Sequence, residues 1–107
     1  MIDLDYPKQE NPCEAEFVHW LIPNIPADSF KIGTPTGSKP TLGYSPPMPL
    51  INSGEHRFVL LLFAQERRRI SVPTMKKRNN FSLKEFIQKH NLGEPLAGNY
   101  FLANHGD

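Results

Sequence analysis

The sequence is short of cysteine, of charge of one sign and of long apolar runs, and each shortage closes off a class of protein. A single cysteine, Cys13, rules out an internal disulfide framework and fits a reducing compartment. Twelve basic side chains against eleven acidic ones leave a formal net charge of +1, so bulk electrostatics select neither a nucleic acid nor a membrane. No apolar run approaches the roughly 18 residues of a transmembrane segment. The acidic, proline-containing start has the pattern of neither a signal peptide nor a transit peptide, and the chain is expected to be cytoplasmic. A length of 107 residues predicts one domain.

Proline, by contrast, is abundant. Eleven prolines interrupt helices and point to a mainly β domain with long, stiff loops. A strand is expected over Phe17 to Ile25, with Phe17, His19 and Leu21 on one face and Val18, Trp20 and Ile22 on the other. From Ala27 to Pro49 nothing periodic survives, and a loop of that length in a compact domain tends to be functional. Phe58 to Phe63 is the most apolar run and the best candidate for a central strand. The one short helix follows Ser82, where Ser82-Leu83-Lys84-Glu85 has capping-box spacing and Phe81 and Phe86 stand in hydrophobic-staple positions. Leu83, Phe86, Ile87 and His90 share one helical face, Gly93 is placed to end the helix, and Tyr100 to Leu102 reads as a last strand.

Two histidines carry the chemical interest, because each sits beside or within an apolar run. His19 and His56 can form a paired anion site, since neutral imidazole donates and accepts while imidazolium donates twice. Each serves equally well as a core histidine satisfied by a backbone carbonyl. Asp3 and Asp5 flank Leu4 and share a face on an extended backbone; the pattern alone favours exposed terminal carboxylates over partners of the histidines. No metal-ligand spacing is present, and Cys13 stands in a polar, proline-bracketed loop without a nucleophile signature. The basic stretches Arg67-Arg68-Arg69 and Lys76-Lys77-Arg78 suit either a solvated loop or contact with phosphates of RNA or lipid.

Three segments resemble the phosphatidylethanolamine-binding protein family, which includes the Raf kinase inhibitor proteins and plant flowering-time regulators. Asp3-Leu4-Asp5-Tyr6-Pro7 is similar to the family's Asp-Pro-Asp-Ala-Pro motif and is followed by Glu16-Phe17-Val18-His19-Trp20. Gly54-Glu55-His56-Arg57-Phe58-Val59 resembles its Gly-x-His-Arg-Tyr/Phe-Val motif. Arg78-Asn79-Asn80-Phe81, with the stretch from Leu92 to Phe101, resembles its Arg-x-x-Phe helix and following strand.

The resemblance implies a β-sandwich of antiparallel sheets, incomplete relative to the family and truncated at both ends, so that residues 1–107 form a partial domain with open sheet edges and low stability. It implies a non-catalytic module that takes phosphate or a phospholipid head group, with Asp3, Pro7, His19, His56 and Phe58 as the pocket. Asp3 would orient or charge an imidazole rather than meet the anion. No cofactor, metal or catalytic residue is implied, and a protein kinase is the implied protein partner. Tyr6 stands where the family has a small alanine, which would narrow or roof the pocket. Pro46 to Ser53 departs from the usual wall and instead resembles the related domain of a mitochondrial large-subunit ribosomal protein, which makes an RNA-contacting structural component with a vestigial pocket the alternative.

Overall fold

A computed structural model describes residues 1–31, 33 and 38–106. Strands β1 (Ile2–Asp3), β2 (Phe17–Val18), β3 (His56–Leu62) and β4 (Ala97–Ala103) form one antiparallel sheet in the order β2-β1-β3-β4. Two short helices, α1 (Ala27–Lys31) and α2 (Leu83–Lys89), accompany it. The chain is mainly β, as its proline content and apolar runs predict. No helix among the described residues is long and apolar enough to cross a membrane.

The register of the sheet explains where the chemistry collects. Residues directly opposite in an antiparallel ladder point to the same face. Asp3 lies opposite Phe17 on one side and Phe58 on the other, and Phe58 lies opposite Phe101. One row across the sheet therefore places a carboxylate among three aromatic rings. The adjoining row is Val18, Ile2, Val59 and Tyr100, and it faces the other way. Ile2 and Val18 join Leu42 in the buried core on that side, packed against Met75, Phe81 and Leu83.

The strand expected to run from Phe17 to Ile25 leaves the sheet early. His19 and Trp20 both donate their backbone N–H to the Met1 carbonyl, at 2.8 and 3.2 Å, so two residues share one partner as in a β-bulge. Beyond it Leu21 pairs with Leu42 instead. This detour commits residues 41 and 42 to a packed position and carries the chain toward Ser45. The loop expected from Ala27 to Pro49 contains α1, whose acidic Asp28 and basic Lys31 suit the two ends of the helix dipole. The basic stretch also divides. Arg67, Arg68 and Arg69 are exposed, whereas Arg78 donates to the carbonyls of Val18, His19 and Gly43 and is part of the framework.

Helix α2 starts as its sequence predicts, with Ser82 Oγ accepting the Glu85 N–H at 3.2 Å and the Phe81 and Phe86 rings 5.5 Å apart. It stops earlier than Gly93 suggests. Asn91 takes the left-handed turn at φ 51°, and Leu92 and Asn91 donate back to the carbonyls of Ile87 and Gln88, the pattern of a Schellman motif. Asparagine substitutes for glycine there because its short polar side chain tolerates positive φ.

Candidate functional site

His56 enters β3 from a turn that glycine makes possible. Gly54 has φ +82°, and a Cβ placed on it would lie 2.7 Å from Gln9 Oε1 and 3.0 Å from Gln9 Cβ. That side chain is held in place because Gln9 Oε1 accepts the Glu55 N–H, and Gln9 N–H donates to the Ser53 carbonyl at 2.9 Å. Gly54→Ala is expected to cost about 1–2 kcal/mol, from left-handed backbone strain and the clash together. A urea denaturation midpoint equal to that of the unaltered chain would contradict this role.

Asp3, contrary to the exposed position its sequence context favours, is only 2% exposed, and Asp5 4%. Both are buried because each has a partner on β3. Asp3 Oδ2 accepts from His56 Nδ1 at 2.7 Å, while its Oδ1 accepts the Asp5 N–H at 2.8 Å. Asp5 turns away to Arg57, which donates through Nε, Nη2 and its backbone N–H at 3.0, 2.9 and 2.8 Å. These hydrogen bonds hold the Asp5 carboxyl below its ordinary value of 3.8. The stabilisation from this pair is therefore present above pH 3.8 and is lost as pH falls further.

The two imidazoles are anchored differently. His56 is 1% exposed and uses both ring nitrogens: Nδ1 on Asp3, and Nε2 on Ser53 Oγ at 2.9 Å. The Ser53 hydroxyl also lies 2.6 Å from the Leu50 carbonyl, which can only accept. One hydroxyl proton cannot serve both neighbours. With that proton on the Leu50 carbonyl, Ser53 Oγ is left as an acceptor facing Nε2 of His56, while Nδ1 faces the Asp3 carboxyl.

His19 has a carbonyl neighbour instead. Its Nδ1 donates to the Ser45 carbonyl at 2.8 Å, and the Ser45 N–H returns a bond of 2.8 Å to the His19 carbonyl. Nδ1 is thus protonated, and Nε2 is the ring nitrogen with no protein partner among the described residues. Burial lowers the pKa of His19 below 6.5 and favours the neutral ring. Phe58 packs between the two histidines, with ring centroids 5.3 Å from His19 and 6.1 Å from His56.

Asp3, Pro7, His19, His56 and Phe58, the residues singled out from sequence, all line one cavity of about 140 Å³. Tyr6 lines it as well, its ring 4.4 Å from that of Phe17. The remaining wall is Ser45, Pro46, Met48, Pro49 and Leu50. The sequence placed Pro46 to Ser53 at the wall without assigning individual wall residues, and it did not single out Ser45, since an aperiodic proline-rich segment carries no facing pattern. Among the described residues no three His, Cys, Asp or Glu side chains converge as metal ligands.

A small antiparallel β domain thus gathers two differently anchored histidines and a buried carboxylate around one cavity. The chain belongs to the phosphatidylethanolamine-binding protein family, whose model matches residues 1–101. It is 37% identical over 103 residues to Protein TERMINAL FLOWER 1 of Arabidopsis thaliana, covering 96% of this chain and 55% of that protein. It is 40% identical over 101 residues to Protein TWIN SISTER of FT from the same plant, with 94% and 54% covered. A putative odorant-binding protein, A5 of Drosophila melanogaster, is 31% identical over 109 residues, with 96% and 50% covered. The solution structure of CG7054 superposes with a TM-score of 0.75 at 34% identity, over 98% of this chain and 60% of that one. The chain spans about half the length of the curated relatives it matches.

Proposed function

We propose that this chain is a non-catalytic module that binds a phosphate-bearing head group, of the phospholipid kind its family is named for, in the cavity formed by Asp3, Pro7, His19, His56 and Phe58. The observation that carries this reading is the open Nε2 of His19 in a cavity whose other imidazole is already paired with a carboxylate. A phosphate oxygen accepts a charge-assisted hydrogen bond from that nitrogen once it is protonated. The cavity volume of about 140 Å³ suits a phosphate group with a few waters, at roughly 30 Å³ of liquid volume per water. It lies below the roughly 300 Å³ at which pockets for drug-sized molecules begin. A head group fits; acyl chains do not. A cytoplasmic location and a protein kinase as partner follow from sequence pattern and family resemblance alone. The structural, RNA-contacting alternative keeps the exposed Arg67, Arg68 and Arg69 but loses Arg78, which is spent on backbone carbonyls.

The test is an NMR titration with glycerophosphoethanolamine, a phosphodiester whose phosphate charge stays constant between pH 5 and 8. Shifts are expected at Ser45, His56 and His19, and His19→Ala is expected to weaken binding by tenfold or more, the loss of about 1.5–3 kcal/mol typical of a hydrogen bond to a charged group. A bound anion favours imidazolium and so raises the pKa of His19, and linkage requires affinity to increase as pH falls through 6.5 and below. A chain that shows no shifts at millimolar ligand, or whose affinity is independent of pH, does not use this pocket as described.

A further inference from the structure

The loop that roofs the cavity also presents an apolar rim. Its first residue, Ser45, holds His19 through a backbone carbonyl, and Ser53 at its far end holds His56 through Oγ. Between these anchors Met48, Leu50 and Ile51 are 78%, 61% and 64% exposed. Met48 and Leu50 line the cavity while remaining largely in solvent. Single exposed apolar residues are ordinary on a folded surface, but here three fall within four positions and two of them line the pocket. Pro46, Pro47 and Pro49 restrict the backbone of this segment, so the exposed side chains are held out by a stiff loop. From Pro40 to Gly54 the sequence has no charged side chain.

We propose that this rim is a contact for a lipid surface: the cavity takes a phosphate head group while Met48, Leu50 and Ile51 enter the adjoining acyl region. The proposal rests on the head-group reading above and specifies where the ligand is met, in a bilayer rather than free in solution. Geometry joins the two parts. A cavity too small for acyl chains leaves the chains of a captured lipid at its mouth, where Met48 and Leu50 stand, with Ile51 next in the chain. The charge-free stretch can approach the interface without stripping water from an ion, a cost that otherwise opposes insertion. Because the loop ends on both histidines, insertion of the rim and occupation of the pocket bear on the same short segment.

Vesicle sedimentation tests this, using bilayers of phosphatidylethanolamine and phosphatidylcholine, alongside titration with soluble glycerophosphoethanolamine. The triple variant Met48→Ser, Leu50→Ser, Ile51→Ser is expected to lose vesicle association by roughly a hundredfold, the scale of withdrawing three partly buried apolar side chains. Ile51→Ser alone, which alters no cavity-lining residue, is expected to leave affinity for the soluble head group within about twofold. Vesicle association that persists in the triple variant overturns the rim contact and leaves the head-group reading intact. So does a wild-type chain that binds the soluble ligand but ignores vesicles. Failure of the wild-type chain to bind the soluble ligand overturns both. Should the triple variant lose its dispersed spectrum, Ile51→Ser, which alters no cavity-lining residue, is expected to weaken vesicle association about fivefold; no change there counts against the proposal.

Discussion

Phe58→Ala is expected to destabilise the fold by about 3–5 kcal/mol, the range for removing a fully buried phenyl ring. Phe58 is 1% exposed and lies against His19, His56 and Phe101, with its centroid 5.2 Å from that of Phe101. It is at once a central residue of β3 and the packing surface between the two imidazoles. Neighbouring side chains have little room to collapse into the void, because His56 is tethered at both nitrogens and His19 at Nδ1. The loss of stability should therefore come with loss of head-group binding even where the variant stays folded. Urea denaturation at neutral pH measures the first effect and the phosphodiester titration the second. A loss below about 1 kcal/mol would show that the site is far more plastic than these contacts imply.

Asp3→Ala carries an expected cost of similar size, about 3–5 kcal/mol, for a different reason. The substitution leaves His56 buried without its carboxylate and leaves the Asp5 N–H without its acceptor. Breaking one side of a buried pair costs more than the pair contributes, because the surviving polar group is left buried without a partner. Asp3→Asn keeps the shape and one acceptor oxygen, so it is expected to cost less than the alanine variant. The ordering is the diagnostic result. If both variants were equally destabilised, the carboxylate facing His56, which both remove, and not side-chain volume at position 3, would be the controlling factor.

Much of this site was legible in the sequence, and the residues that were not share a physical reason. His19 and His56 declared themselves as polar residues beside apolar runs, and β3 and α2 were found from runs and caps that act over a few residues. The partnership of Asp5 with Arg57 spans 52 positions and obeys no periodicity, so nothing local distinguishes Asp5 from an exposed terminal carboxylate. The same holds for Ser45 and Ser53, whose importance depends on where a proline-rich loop returns to the sheet. The early end of β2 was hidden because the bulge at His19 and Trp20 depends on a carbonyl at the other end of the segment, on Met1. Resemblance supplied Asp3, Pro7 and Phe58, and the cavity places all three beside the histidines.

The unequal tethering of the two imidazoles leaves the pocket one ring nitrogen to offer. Both ring nitrogens of His56 are engaged, by Asp3 and Ser53, and Nδ1 of His19 is engaged by Ser45, so Nε2 of His19 is the imidazole nitrogen without a protein partner among the described residues. Anion occupancy at that nitrogen is then tied to proton uptake by His19. A drop in pH and a rise in ligand concentration thereby become interchangeable ways of filling the same site.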